Sequence, residues 1–241
     1  MASTRELVPE VMDDPGLDRD LHEQALDGLR RLNAVSRSAA TVWPMIRDAA
    51  RRQDRPVRVL DLACGGGDVL LNLMQRAQAS GVGLRLTGVD VSPVALDYAA
   101  RAAAAADPGA MIDWVRGDAL EPSALPIGSS EGFDVVMSNL FLHHLTEDES
   151  VTVLTAMRDA ASPSGRVLVN DLCRSPLTQA LVGLGCRALS RSPVVHVDGP
   201  RSARAAWTVA ELRELADRAG LAGAVVRRRM PCRMLLDWSR P

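Results

Sequence analysis

The chain has 241 residues, 47% of them apolar, and sets 28 basic against 30 acidic side chains for a formal net charge of −2. That size suits one α/β domain with a sizeable core, and the balanced charge excludes the basic stripe that holds a nucleic acid. Four cysteines without a C-x-x-C pair, no signal-like leader and no apolar run long enough to span a membrane exclude a disulfide framework and a membrane protein, so a reduced, cytoplasmic chain is expected.

In chain order, an amphipathic helix is predicted over Leu21 to Leu32, with His22 facing solvent, and a second over Ser36 to Arg52 with Val42, Trp43, Ile46 and Ala49 on one face. Val57 to Leu62 has the near-continuous apolar character of a strand covered on both sides. A glycine turn, Cys64-Gly65-Gly66-Gly67, leads from it into a helix over about Val69 to Ala79. The next strand, Leu84 to Asp90, ends in an acid and is followed by Ser92 as N-cap and Pro93 at the first helical position. A short strand follows within Met111 to Ala119, with Asp118 beyond it, and another opens the segment Gly132 to Leu145. Helices are predicted over Glu147 to Ala161 and Pro176 to Leu189, with a strand between them after the Ser162 to Gly165 turn. Ser192 to Ala206 reads as an insertion-like loop. A helix from Val209 to Ala219 opens on a Thr208/Glu211 capping box, and two strands, Ala224 to Met230 and Arg233 to Trp238, close the chain, Arg227 to Arg229 marking a solvated face. Strands alternating with helices predict a parallel sheet covered on both faces.

The turn at Gly65 to Gly67 narrows the ligand. Glycine accepts positive φ and exposes amide N–H groups at a helix N-terminus. The dinucleotide fingerprint needs a third small residue where this chain has Leu70, which disfavours NAD and FAD, and a chain without lysine has no P-loop. A nucleoside ligand without a phosphate cradle remains. Asp90, 23 residues after Gly67, is placed to accept both ribose hydroxyls. The four histidines show no metal-ligand spacing, so no metal is expected, and no G-x-S-x-G elbow is present.

Asp61-Leu-Ala-Cys-Gly-Gly-Gly67 resembles motif I of the class I S-adenosylmethionine-dependent methyltransferases, with Ala63 in place of the first glycine. Leu84 to Pro93, Met111 to Ala119, Gly132 to Leu145 and Ser162 to Asp171 resemble the following motifs in order, covering about residues 57 to 172. The resemblance implies a Rossmann-like, seven-stranded, mostly parallel sheet with an antiparallel closing strand, helices on both faces, and an N-terminal helical lid (residues 1–54) over the methyltransferase domain (55–241), with an acceptor-covering insertion at about 173–207. It implies S-adenosyl-L-methionine as cofactor, leaving as S-adenosyl-L-homocysteine, held by Asp61, Ala63, Gly65, Gly67, Asp90, Val91, Asp118, Ala119, Asn139 and Leu140. Asn33, Arg37 and Trp43 of the lid are further candidates for contacts. His143, His144 and His196 are candidates for drawing a proton from the acceptor, and Asp171 is a polar candidate at that edge, read first as an anchor near Arg174.

Asn139-Leu140-Phe141 lacks the Pro-Pro of enzymes that methylate adenine or amide nitrogens. The expected acceptor is therefore a small molecule, first the oxygen of a phenolic or polyketide-like metabolite. The segment Pro9 to Pro15 with Asn170 to Leu172 resembles bacterial methyltransferases of polyketide-type secondary metabolism. A carbon of a quinone or polyketide precursor is the alternative, and a non-catalytic cofactor-binding module is the alternative of another class. No nucleic acid or membrane partner is expected, and the chain is expected to be a monomer or homodimer.

Overall fold

The computed structural model describes residues 4–121 and 132–240. Seven strands form one sheet in the order β3-β2-β1-β4-β5-β7-β6. The strands are β1 (Val57–Leu62), β2 (Leu84–Asp90), β3 (Ile112–Arg116), β4 (Phe133–Asn139), β5 (Ala161–Leu172), β6 (Val225–Arg229) and β7 (Arg233–Ser239). The pairs from β3 to β5 are parallel, and β7 runs antiparallel to both neighbours. The order reverses between β1 and β4, which opens a crevice at the carboxyl ends of those strands.

Alternation along the strands divides the core. Val57 and Val59 of β1, Val135 and Met137 of β4 and Leu168 of β5 face α2 (Ser38–Ala50) and α3 (Asp68–Ser80). Leu60, Leu62, Val136, Val167 and Val169 face α5 (Glu147–Ala160) and α8 (Val209–Arg218). Alternating residues point to opposite sides of a sheet, so a run apolar at nearly every position is what a doubly covered strand requires. The predicted starts are built as expected: Ser92 caps α4 (Pro93–Ala106) by accepting from the Ala95 N–H, and Thr208 and Glu211 form a full capping box. Thr146 and Glu149 form a second one on α5.

A layer lies over the carboxyl edge of the sheet: α1 (Arg19–Val35), α6 (Pro176–Leu189) and α7 (Pro193–Ala205), joined by a small core of Ala25, Cys186, Val194 and Val195. Two expectations are corrected here. Ser192 to Ala206 is not a loop but α7, because Pro193 starts a helix and Val194 and Val195 bury one side of it against α1 and α6. His22 is buried at 7% exposure, because α1 is covered on the side that points to the sheet edge. Among the described residues no helix is long and apolar enough to cross a membrane.

Candidate functional site

The glycine turn after β1 sets the floor of the crevice. Ala63, Gly65 and Gly67 all take left-handed backbone angles, with φ of 56°, 53° and 69°. Ala63 does so with a Cβ, a strained choice of the kind stored at functional turns. No atom lies within 4 Å of where a Cβ on Gly65 would stand, so this backbone faces open space, whereas Gly66 is closed by Tyr98 at 3.2 Å and Leu26 at 3.4 Å. A Cβ on Gly67 would collide with Trp114. Leu70 is fully buried, and Gly88 on β2 makes room for it.

Asp90 ties this turn to the next helix. Its carboxylate accepts from the Gly65 N–H at 2.7 Å and the Ser92 N–H at 2.9 Å, and burial raises its pKa against those bonds. A carboxylate has about four acceptor positions, so two bonds leave it able to take hydroxyls. Val91 beside it is 59% exposed. Asp118 turns back to accept from the Leu120 N–H at 2.8 Å, and Ala119 is buried behind it. Val91, Asp118 and Ala119 do not line the crevice, and neither do Gly67 and Asp90, whose carboxylate lies against the lining residue Gly65.

The lining brings together Asp61, Ala63, Gly65, Asn139, Leu140 and Asn33, with Cys64, Gly66, Asp68 and Val69 below and Met12, Leu26, Leu29 and Arg30 above. Leu140, at the end of β4, has φ 56°, so the crevice is strained on both walls. Among the described residues, two acids stand here without a formal cation in hydrogen-bond contact: Asp61 receives the Asn139 amide at 3.4 Å, and Asp68 the Asn33 amide at 3.4 Å. Burial pushes Asp61 well above the usual carboxylate range and lifts Asp68 to about 6. The polar row continues from Asn139 to Asn170, whose amide donates to the Asn139 Oδ1 at 3.2 Å.

Of the remaining lid candidates, Arg37 is exposed at the corner between α1 and α2, and Trp43 packs in the core against α3. The corner is held instead by Arg233, a buried residue at the start of β7 that donates to Asn33 Oδ1 (3.0 Å), Ser36 Oγ (2.7 Å) and Ser38 Oγ (3.2 Å). Burial drives its pKa down to about 10.

One strand over, the short 3-10 turn Leu142–His144 presents both histidines. Asp171 lies not with Arg174, which pairs with Glu211 at 2.6 Å, but against His143: Oδ1 is 2.7 Å from Nδ1, and Oδ2 accepts from the backbone N–H at 3.2 Å. Burial alone would raise Asp171, yet His143 beside it holds it below its ordinary value. His144 Nδ1 meets Asp13 at 3.2 Å. Burial opposes its charge, but the Asp13 bond and the field of Glu10, Asp13 and Asp171 outweigh that and push it up to about 9. The two rings stack at 4.3 Å between centroids. His196 is held on α7 with Nε2 2.8 Å from the Ser190 carbonyl.

An N-terminal strap covers this pair. Arg5 stacks over Trp207 and donates to the carbonyls of His143 (3.0 Å) and Leu145 (2.7 Å). Asp198 of α7 accepts from the N–H groups of Val11 (2.9 Å) and Met12 (3.0 Å), while Glu10 accepts from Ser202 Oγ at 2.6 Å. Sequence reasoning missed Glu10, Asp13, Arg30, Asp68, Tyr98 and Arg233 as site residues. Asp68 directly follows Gly67, and Arg30 lies one turn before Asn33 on α1, so spacing could have found those two; nothing local marks Arg233.

Comparison with known proteins agrees with this geometry. The methyltransferase-domain family profile matches residues 59–165. An uncharacterised methyltransferase of Mycobacterium bovis is 30% identical over 191 residues, 76% of this chain and 87% of its own. A 2-phytyl-1,4-naphtoquinone methyltransferase of Synechococcus elongatus is 32% identical over 160 residues, 66% of this chain and 60% of its own. The crystal structure of the plantazolicin methyltransferase BamL, solved with a desmethyl substrate analogue and S-adenosylhomocysteine, superposes with a TM-score of 0.61 at 16% identity, covering 91% of this chain and 87% of that one. With its motif order, sheet topology and relatives in agreement, the chain belongs to the methyltransferase-domain family of class I S-adenosylmethionine-dependent methyltransferases.

Proposed function

We propose that this crevice holds S-adenosylmethionine and that the protein transfers its methyl group to a small molecule, first an oxygen of a phenolic or polyketide-like acceptor. The observation that carries the cofactor reading is the pair of carboxylates, buried Asp61 and half-buried Asp68, lining one crevice with Arg30 and Asn33, beside a glycine backbone open to it. An amino-acid tail fits that donor set, its ammonium toward the acids and its carboxylate toward the guanidinium, while Asp90 takes ribose hydroxyls and Val91, Asp118 and Ala119 flank the base. The space as it stands is about 100 Å³, below the roughly 300 Å³ at which ligand pockets begin. Residues 1–54 therefore act as a lid, in which α1 with Met12 must lift to admit the cofactor and settle over it, and the 173–207 segment, whose α6 and α7 pack on α1, covers the acceptor.

When bound, the cofactor supplies an activated methyl on a positively charged sulfur. The protein's task is alignment and exclusion of water. For a hydroxyl acceptor, the proton must also leave, and His143, oriented by Asp171, with His144 beside it, stands at the β4–β5 edge where the acceptor would lie. His196 is the third candidate, bound to α7. A quinone acceptor is the second reading, favoured by the naphthoquinone methyltransferase among the relatives.

Incubation with labelled S-adenosylmethionine and a panel of phenols and quinols tests the proposal. Methylated phenols are expected, and His143→Ala should lower turnover by about a hundredfold or more while leaving the affinity for S-adenosylhomocysteine unchanged. No calorimetric binding of S-adenosylhomocysteine by the wild type would overturn it.

A further inference from the structure

The strap brings carboxylates to the histidine pair in an arrangement that hydrogen bonding does not exhaust. Glu10 Oε1 stands 3.9 Å from His143 Nε2 and 3.9 Å from His144 Nδ1, and a donor atom from each of the three side chains lies within 4.8 Å of the others. Asp13 adds an oxygen 3.2 Å from the same His144 nitrogen. His143 is 4% exposed and its ring is fixed through Nδ1 on Asp171, so Nε2 is turned into the cluster, where it makes no hydrogen bond among the described residues. A carboxylate behind a histidine is the arrangement that sets the tautomer and basicity of a metal-binding imidazole. The same Glu10 oxygen, Oε1, accepts from Ser202 Oγ at 2.6 Å, which fixes its position facing the two rings.

We infer that Glu10, His143 and His144 form a binding site for a divalent first-row cation of the zinc type, with Asp13 as a fourth oxygen. Two imidazoles with carboxylates make the donor set that such ions take. Bonds of about 2.0–2.1 Å place donors roughly 3.3 Å apart around a tetrahedral ion, so closure by roughly half an ångström to an ångström and a half completes the site. Glu10, Asp13 and Asp171 lie against the two imidazoles, Asp198 holds the strap beside them, and three guanidiniums stand nearby: Arg201 3.6 Å from Asp198, Arg5 on the His143 carbonyl at 3.0 Å, and Arg233, whose charge acts on Asp171. Metal binding displaces the proton that these acids favour on His144.

The inference rests on the reading of the β4–β5 edge as the acceptor side and refines the part the histidines play there. With the ion in place they are ligands that fasten the strap, and an acceptor hydroxyl that took the place of Asp13 at the ion would lose its proton more readily. The His143→Ala result does not separate these two roles, whereas metal binding does.

Chelator-treated full-length protein is titrated with zinc chloride by calorimetry and with cobalt chloride by optical absorption. One equivalent is expected, at micromolar affinity or tighter, weakened at least tenfold in Glu10→Gln and in His144→Ala, with circular dichroism unchanged. Asp13→Asn replaces either variant that fails to fold. Absence of stoichiometric binding, affinity unaltered in both variants, or a thiolate-to-cobalt charge-transfer band would overturn the site. S-adenosylhomocysteine is titrated into the same samples: its binding without metal binding removes this inference alone, and its failure to bind removes the cofactor reading.

Discussion

Single residues at the crevice trade stability for a ligand. Asp68 is the clearest case, since its folded pKa of about 6 lies above its ordinary value of 3.8. The folded free protein therefore holds a proton that the unfolded chain gives up, and stability falls as pH rises from about 4 to about 6. An ammonium ligand reverses the preference by favouring the carboxylate. S-adenosylhomocysteine should thus bind more tightly as pH rises through about 6, with release of a proton detectable by calorimetry in buffers of different ionisation enthalpy. Asp68→Asn should flatten this slope, and an affinity independent of pH in the wild type would refute the assignment. Ala63 makes a second residue-scale case. Its φ of 56° costs an L-residue roughly 1–2 kcal/mol, and the extra entropy of a glycine returns roughly half of that. Ala63→Gly should therefore raise stability by about 0.5–1 kcal/mol in urea unfolding; a loss of stability would show that the angle is not strained.

At the scale of elements, helix propensity and packing disagree at Gly28. Alanine would favour α1 by about 1 kcal/mol, yet a Cβ there would run into the Ser190 side chain and stand 3.2 Å from Val195 Cγ2. Packing should win, with Gly28→Ala costing roughly 1–3 kcal/mol, because the layer of α1, α6 and α7 has no slack on that side. A gain in thermal stability would mean that α1 is free to shift. The starts of α4 and α8 were readable from Ser92 and Thr208, since a capping residue acts within its own turn. Helix α7 was not, because Gly199 and Pro200 inside it and its mixed composition say loop locally, and only burial of Val194 and Val195 against α1 and α6 makes it a helix.

For the whole molecule, the doubly covered sheet is the base, and the proposed lid is the layer above it. β1, β4 and β5 are covered on both faces, whereas α1 meets the crevice through Leu26 and Leu29 and the strap through Met12. Hydrogen exchange should show this division. Saturating S-adenosylhomocysteine is expected to slow exchange over residues 5–35 and leave β6 and β7 unchanged; equal protection across the sheet, or none in α1, would argue against a lid.

What the amino-acid order determined unaided was everything governed by near neighbours: strand and helix periods, the glycine turn at 63–67, the capped helix starts, and Asp90 and Asn139 at strand ends facing one edge. Those features depend on φ preference and on alternation, which act over a few residues. The tertiary structure alone decided which distant segments meet. Arg233 reaches Asn33 across 200 positions, Asp171 orients His143 rather than Arg174, and Glu10 closes on the histidines from the N-terminal strap. Such contacts follow from how helices stack over a sheet edge, and no local preference encodes that.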